Sequence, residues 1–346
     1  MTKVRARGED IRRFILEHVE KHPSDIGRIT SEHFEITRQA INKHLQKLCA
    51  EQALKEAGKT RSRTYKLAPL VEYRESFKIT EDLAEDLVWA ENIRPFIVPL
   101  PDNVQDIWHY GFTEMFNNAI DHSCGTEIRV RIRKNAINTE MLLMDNGIGI
   151  FKKIQIAMNL LDERHSILEL SKGKLTTDPS NHSGEGIFFT SRMFDSFDIL
   201  SGNVFFTHQF GEEDWIIENN DFSSGTSVWM KIHNHTARTT KKIFNQFTSG
   251  DDFGFNKTVV PVKLAQYGED KLISRSQAKR VLARVELFKT VIFDFNGVEF
   301  IGQAFADEIF RVFSLRHPEI SLMAIKANDD VKKMISRAKS ANIAAT

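Results

Sequence analysis

Residues 114–122 read Glu-Met-Phe-Asn-Asn-Ala-Ile-Asp-His and lie within a helical pattern that runs from Asp102 to His122. At 100° per residue, the polar side chains of this stretch fall on one side of the helix and the apolar ones fall opposite, where they can face a sheet. The polar stripe consists of Glu114, Asn118, Asp121 and His122. An amide oxygen together with phosphate oxygens suits Mg²⁺, and a carboxylate one turn earlier can orient water. The stretch alone is also consistent with a solvated helix face.

The second stretch is a strand end followed by a glycine-rich turn. Residues 141–144 are apolar and predict a buried strand that ends at Asp145. Gly147 and Gly149 follow, and glycine allows positive φ and a close approach of the backbone to a ligand. Asp145 could accept a hydrogen bond from an exocyclic amine such as adenine N6. On its own, Asp-Asn-Gly is also an ordinary turn signal.

The third and fourth stretches are also built around glycine. Residues 183–186 read Ser-Gly-Glu-Gly and open a helical pattern through Met193. The free N–H groups at such a helix start favour phosphate. Gly225 and Thr226 begin a strand that is predicted to run to Ile232. Taken singly, these stretches are also consistent with a flexible loop and a plain strand start.

The order and spacing of the four stretches are more specific than any one of them. Glu-x3-Asn, then Asp-x-Gly-x-Gly, then Gly-x-Gly and finally Gly-Thr resembles the GHKL (Bergerat-fold) ATPases. That superfamily holds the gyrases, histidine kinases, anti-sigma-factor kinases and mismatch-repair ATPases. The resemblance covers roughly residues 80 to 235 and implies that ATP and Mg²⁺ bind there.

The resemblance also implies roles for single residues. Glu114 would be the water-activating base, Asn118 the magnesium ligand and Asp145 the adenine reader. The segment 151–183 resembles the ATP lid, so a lysine within it is a candidate for contacting the γ-phosphate. The other expected nucleotide contacts are Asp121, His122, Gly147, Gly149, Lys172, Lys174, Gly184, Gly186 and Thr226. Asp121 is equally consistent with a helix-surface acid.

Charge and cysteine content indicate the setting of the protein. The formal net charge of the 346 residues is zero, but residues 1–68 carry 15 Lys/Arg and 9 Asp/Glu, a balance of +6 that leaves −6 for the remainder. There are two cysteines and no Cys-x-x-Cys pair, and the N-terminal stretch lacks the apolar core of a signal peptide. No apolar run approaches the length that spans a bilayer. We expect a reduced, cytoplasmic protein without membrane contact.

The basic N-terminal part combines helical patterns with a hairpin. Helices are predicted over 10–22, in a short stretch that ends at Phe34, and after an N-cap at Thr37, and strands over 53–57 and 63–67. This pattern resembles winged-helix transcription regulators, which implies binding of duplex DNA through the third helix and the hairpin. The candidate DNA contacts are Arg38, Gln39, Asn42, Lys43, Lys59, Arg61 and Arg63. A protein-docking role is the alternative.

The C-terminal part has a β-α-β rhythm. Residues 293–301 read Phe-Asp-Phe-Asn-Gly-Val-Glu-Phe-Ile and resemble the core of STAS domains, the anti-sigma-factor-antagonist fold. A generic small α/β domain is the alternative. The positions that match the phosphoacceptor of regulated antagonists, residues 302–304, carry no hydroxyl. The resemblance therefore implies a docking or sensing module that can contact a protein partner.

These patterns predict an α+β multidomain chain. It would hold a winged helix, a Bergerat α/β sandwich whose mixed sheet carries helices on one face, and a small STAS-like α/β domain. The predicted boundaries are 1–68 for the winged helix, 69–100 for a connector whose helix 81–93 packs on the next domain, 101–235 for the ATP-binding domain, 236–254 for a linker and 255–346 for the STAS-like domain.

The expected function is that of an ATP-binding, slowly hydrolysing, nucleotide-gated DNA-binding regulator. Two alternatives stay open. One is an anti-sigma-type serine/threonine kinase acting on an external partner, and the other is a DNA-dependent ATPase in defence or repair. A homodimer also stays open, because GHKL domains often pair, although the sequence shows no heptad or other pairing motif.

Overall fold

The computed structural model describes residues 3–59, 62–176, 183–211, 215–248, 254–266 and 271–343. The chain divides into two compact units. The first unit holds residues 1–75, 130–142 and 231–236, and the second holds residues 76–129, 143–230 and 237–346. Helices and several separate sheets are mixed along the chain, which confirms the α+β class. No helix in the described ranges combines the length and the apolar character needed to cross a bilayer.

The first unit contains three helices and a two-stranded antiparallel hairpin. Its elements are α1 (Lys3–His18), α2 (Ile26–Phe34), α3 (Arg38–Ala50), β1 (Leu54–Ala57) and β2 (Thr64–Leu67). The core forms because apolar residues recur at helical spacing on both sides of it. Ile11, Ile15 and Val19 do so in and just after α1, and Ile41, Leu45 and Leu48 do so in α3, and all six are buried. The Thr37 hydroxyl accepts a hydrogen bond from the backbone N–H of Ala40, as predicted for the N-cap of α3.

Helix α1 differs from the helix predicted over 10–22. It begins at Lys3, because five of residues 3–9 are Lys, Arg, Ala or Glu, which favour a helix. It ends at His18, where the N–H groups of Lys21 and His22 both donate to the His18 carbonyl and close the last turn.

A five-stranded sheet has the strand order β3-β4-β5-β7-β6. Its strands are β3 (Val71–Lys78), β4 (Glu127–Lys134), β5 (Asn138–Asp145), β6 (Ser196–Gln209) and β7 (Trp215–His233). Side chains along strand β4 alternate between the two faces of the sheet, with Ile128, Val130 and Ile132 buried. Strands β4, β5 and β7 each have residues in both compact units.

Two sequence predictions about these strands were wrong. Residues 71–78 form the edge strand β3, not part of a connector. Its charged residues hid the strand pattern, although charge is a common protection for an exposed edge. Strand β6 continues without a break through Gly202, whose φ is +63°. The strand predicted to begin at Gly225 and Thr226 is the last part of a longer strand, β7, which begins at Trp215.

Before residue 255 the second unit contains several helices, of which α6 is long and amphipathic. They are α4 (Glu85–Val88), a π-helical turn (Trp89–Ile93), α5 (Arg94–Ile97), α6 (Asp102–His122), α7 (Ile150–Ala157), α8 (Arg164–Lys172), α9 (Gly186–Met193) and α10 (Thr240–Phe247). Helix α6 has the predicted bounds. Trp108, Phe112 and Phe116 are fully buried along it, and the rings of Phe112 and Phe116 stack at 5.0 Å.

The C-terminal part of the second unit is a three-stranded parallel sheet with helices. Its elements are β8 (Lys257–Pro261), α11 (Arg275–Leu282), β9 (Thr290–Asp294), α12 (Gln303–Asp307), a π-helical turn (Glu308–Phe313), α13 (Ser314–Arg316), β10 (Ser321–Ile325) and α14 (Asp329–Ile343). The strand order is β10-β9-β8, with both pairs parallel. This arrangement agrees with the predicted β-α-β rhythm.

Candidate functional site

A cavity of about 310 Å³ lies in the second unit beside helix α6. Its volume falls at the lower end of the range of about 300–1,000 Å³ that is typical of small-molecule sites. Residues from all four predicted stretches line it. The predicted site residues at its wall are Glu114, Asn118, His122, Asp145, Gly184, Gly186 and Thr226. Stretches separated by more than a hundred positions in the chain are therefore brought to one place.

Glu114 lies directly against the first residue of α9. A Cβ atom added to Gly186 would be 2.0 Å from Oε2 of Glu114 and 2.8 Å from its Cδ. Only glycine fits there without displacing the carboxylate. The helix start, with its exposed N–H groups, thus borders the acid that the sequence singled out.

Tyr110 was missed by the sequence analysis. It lies one helical turn before Glu114 and hydrogen-bonds to the Glu114 side chain. Burial raises the pKa of Tyr110 strongly, and the negative charges of Glu114 and Glu185 raise it further, so its hydroxyl keeps its proton. The Tyr110 ring packs edge-on against Phe244 at 5.4 Å, which fixes its direction. The available signal was the spacing of four between a tyrosine and a glutamate in one helix.

Asp145 is held at the end of β5 by backbone donors. Its Oδ1 accepts hydrogen bonds from the N–H groups of Gly147, at 2.8 Å, and Thr226, at 3.2 Å. The Thr226 hydroxyl accepts a further bond from the N–H of Ile150, at 3.0 Å. Burial raises the pKa of Asp145, and the backbone donors oppose that rise. One carboxyl group is therefore fixed at the cavity wall by the turn that follows β5 and by the backbone of β7.

Gly147 and Gly149 are not among the residues that line the cavity. A Cβ atom on Gly147 would lie 2.0 Å from the carbonyl oxygen of Ser123. Gly149 has a φ of +88°, and its Cβ would lie 2.5 Å from Oγ of Ser201. These glycines let the turn after Asp145 pack closely against neighbouring backbone, and this supports the site without forming its surface.

The structure does not bring the predicted lid lysines to the cavity. Lys172 is fully buried, and its ammonium donates to Oε1 of Glu169 at 2.7 Å and to the carbonyls of Arg280, at 2.9 Å, and Ala283, at 2.8 Å. Lys174 donates to the Leu287 carbonyl at 3.0 Å. The segment predicted as a lid contains helix α8, whose residues after Arg164 are all buried. Local sequence spacing cannot reveal that a lysine binds carbonyl groups more than a hundred residues away.

Asp121, which was an expected nucleotide contact, does not line the cavity, whereas Lys153, which was not expected there, does. Asp121 is exposed and is not among the lining residues, which agrees with the alternative of a surface acid. Lys153, which the sequence analysis passed over, does line the cavity. Its ammonium donates to the carbonyl of His122 at 2.7 Å. The available signal was a lysine in the first turn of the helix after the Asp-x-Gly-x-Gly turn.

The lining groups have the chemistry of a nucleotide site. Asp145 offers an acceptor for an exocyclic amine, and the backbone at Gly184 and Gly186 offers donors for phosphate. Lys153 adds a positive charge, and the amide oxygen of Asn118 is a hard ligand that suits Mg²⁺. ATP with Mg²⁺ therefore fits the donor set.

The predicted DNA contacts lie in the first unit. Arg38, Gln39, Asn42 and Lys43 are all exposed on α3, and Lys59 is exposed after β1. Gln39 and Lys43 line a shallow groove together with Arg12, Thr37, Ala40, His44 and Lys47.

One hairpin residue predicted to contact DNA, Arg63, is less exposed than the candidate residues on α3. Arg63 is half-buried and lies 3.7 Å from Glu56 in an ion pair, so part of its charge is already compensated. Arg61 lies outside the described residues.

Comparison with known families identifies one segment. Residues 277–332 match a family described as a STAS-like domain of unknown function, DUF4325. The prediction of a STAS-like C-terminal domain is thereby confirmed for this segment. Comparison with curated proteins finds no match.

We expect Glu169→Ala to lower the free energy of unfolding by about 3–5 kcal/mol, because it leaves buried cations without their carboxylate. Glu169 is paired with both Lys172 and Arg284. Lys172→Met removes one cation and leaves the other pair intact, so its effect should be smaller. Urea unfolding of both variants checks this order, with the exposed Lys279→Met as control. A larger loss for Lys172→Met than for Glu169→Ala would contradict it.

Proposed function

We propose that this chain is an ATP-binding, slowly hydrolysing, nucleotide-gated DNA-binding regulator. It would combine a winged helix, a GHKL (Bergerat-fold) nucleotide domain and the STAS-like domain. The observation that carries the proposal is the convergence of residues from four separate stretches on one cavity. The exposed polar face of α3 supports the DNA-binding part.

The lining residues suggest how ATP would be bound and hydrolysed. Asp145 would accept a hydrogen bond from the adenine amine, and the N–H groups from Gly184 to Gly186 would bind phosphate. Mg²⁺, held through Asn118, would neutralise phosphate charge. Glu114 would accept a proton from the attacking water, and the hydrogen bond from Tyr110 would hold its carboxylate in one direction.

Gating would require that ATP bind two states with different affinity. Strands β5 and β7 offer a physical route, because Asp145 and Thr226 lie in the second unit while both strands extend into the first. Within the first unit, Lys231 of β7 lies 3.1 Å from Glu140 of β5 and 3.8 Å from Glu20, just after α1. A shift of these strands on ATP binding would thus change the ion pairs of Lys231 next to the three helices of the first unit.

We expect Glu114→Gln to lower ATP turnover by about 10²–10⁴-fold while ATP still binds, because a general base contributes an effect of that size. Asn118→Ala should weaken binding of Mg²⁺-ATP itself. Asp121→Asn is the matched control, because Asp121 lies on the same helix but not at the cavity, and it should behave as the wild type. Titration with a fluorescent ATP analogue and measurement of ADP release separate the two effects.

The same assay separates the alternatives. Labelled phosphate on an added partner protein, with little free phosphate, would favour an anti-sigma-type kinase. Turnover that rises several-fold with duplex DNA would favour a DNA-dependent ATPase. The absence of any ATP binding by the wild type would sink the central proposal.

We expect Arg38→Ala and Lys43→Ala to weaken binding to duplex DNA. Each should also reduce the slope of log affinity against log salt by about one, because binding releases about one counterion fewer for each phosphate contact that is lost. Lys21→Ala removes the same charge from an exposed position outside α3 and should leave the slope unchanged. Fluorescence anisotropy over a range of salt concentrations measures the slope. If all three variants show the same slope as the wild type, the result would argue for the protein-docking alternative.

A further inference from the structure

We infer that Arg284, which belongs to the STAS-like segment, is a positioning residue for the nucleotide cavity. Its guanidinium binds Glu169 of α8 and the backbone just after α8, and that backbone leads directly into the cavity wall. The inference rests on the proposed function and extends it, because it assigns to the STAS-like domain a part in building the ATP site.

The guanidinium of Arg284 is bound by four acceptors. Its Nη1 donates to Oε2 of Glu169 at 3.0 Å and to the Glu169 carbonyl at 3.4 Å, and its Nη2 donates to the carbonyl of Gly173 at 2.9 Å and to the carbonyl of Lys174. The side chain of Arg284 is 17% exposed and that of Glu169 is 4% exposed. A planar fork of donors can satisfy such a set of acceptors at once, which a lysine ammonium cannot reproduce in the same geometry.

The backbone of Arg284 is held in an uncommon conformation. Its φ is +63°, in the left-handed region that a side chain with a Cβ rarely adopts. Such a conformation persists where surrounding contacts over-determine it. The four acceptors on the guanidinium and the neighbouring Ala283 carbonyl, which accepts from Lys172, provide those contacts.

Further contacts hold the same backbone from the C-terminal side. The Thr258 hydroxyl donates to the carbonyl of Lys172 at 2.6 Å. A Cβ atom on Gly173 would lie 2.6 Å from the Phe255 ring, so this backbone passes directly over an aromatic side chain. Residues 172–174 are therefore bound on several sides by groups that lie beyond residue 254.

The next residue, Leu175, transmits this fixation to the cavity. The N–H of Leu175 donates to the carbonyl of Gly184 at 3.0 Å, and both residues line the cavity. Gly184 has a φ of +70°, and its Cβ would lie 2.4 Å from the Leu175 carbonyl carbon. Two residues after Gly184, Gly186 abuts the carboxylate of Glu114. A short sequence of contacts thus joins Arg284 to the proposed phosphate loop and base.

Two variants separate the guanidinium from the backbone conformation at this position. Arg284→Asn keeps a residue type that tolerates positive φ but removes the guanidinium. Arg284→Lys keeps a cation but loses the fork. The control is Arg275→Asn, an exposed arginine at the start of α11. Urea midpoints and circular dichroism establish that each variant is folded, and Arg284→Lys carries the test if Arg284→Asn does not fold.

Two readouts then decide the role. The first is the affinity for a fluorescent ATP analogue and kcat at saturating ATP. In Arg284→Asn, misplaced site residues should raise Kd about tenfold and lower kcat about tenfold. Arg284→Lys should show a smaller change in both constants, and the control should show none. The second is hydrogen exchange of the Leu175 amide without nucleotide, which should become faster in both Arg284 variants. A structural role alone would not change exchange at Leu175 while the urea midpoint stays the same.

Wild-type kinetics together with wild-type exchange at Leu175 in both Arg284 variants would overturn the inference. If the wild type binds no ATP analogue, the proposed function fails, and exchange at Leu175 still decides whether Arg284 fixes this edge of the cavity. The two failures are therefore distinguishable.

Discussion

Helix α6 must bury one side and expose the other, and the candidate site depends on this constraint. Removal of Trp108, Phe112 and Phe116 from water contributes about 1.5–3 kcal/mol for each side chain. Once those rings are buried, the helix has little freedom to rotate about its axis. The side that carries Glu114 and Asn118 is thereby aimed at the cavity, and the strand ends and glycine turns need only meet it there.

The second organising feature is a buried ionic cluster. Glu169, Lys172 and Arg284 are largely removed from water, and such charges are tolerated only where partners satisfy them. Lys172 makes three hydrogen bonds, the full capacity of an ammonium group. Hydrophobic residues of similar volume could fill this space more simply. What the ionic cluster adds is direction, because its hydrogen bonds fix the backbone that follows α8.

The parts of the structure that were predictable from sequence are those set by local periodicity. Helix α6 was predicted with its observed bounds because its apolar spacing is regular, and the cap at Thr37 was read from a single residue type. The motifs Asp-x-Gly-x-Gly and Gly-x-Gly singled out Asp145 and Gly186, and both residues line the cavity. Of the comparisons with known proteins, only the STAS-like match bears on the predicted families, and the nucleotide and DNA roles stay predictions.

The parts that were not predictable depend on distant partners. The charged strand β3 is defined by its place at the sheet edge, and the role of Lys172 by Arg280, Ala283 and Thr258.

The position of Lys172 has a consequence for dissecting the chain. The proposed nucleotide-binding segment and the STAS-like segment look separable in the sequence, with a polar stretch between them. A chain cut before residue 255 would nevertheless lose the carbonyls that solvate Lys172, the guanidinium beside Glu169 and the ring beneath Gly173. Helix α8 would then present a charged and apolar surface that is covered in the intact chain. The STAS-like segment and most of the proposed nucleotide-binding segment belong to one compact unit, so we expect neither to keep its native surface when it is separated from the other.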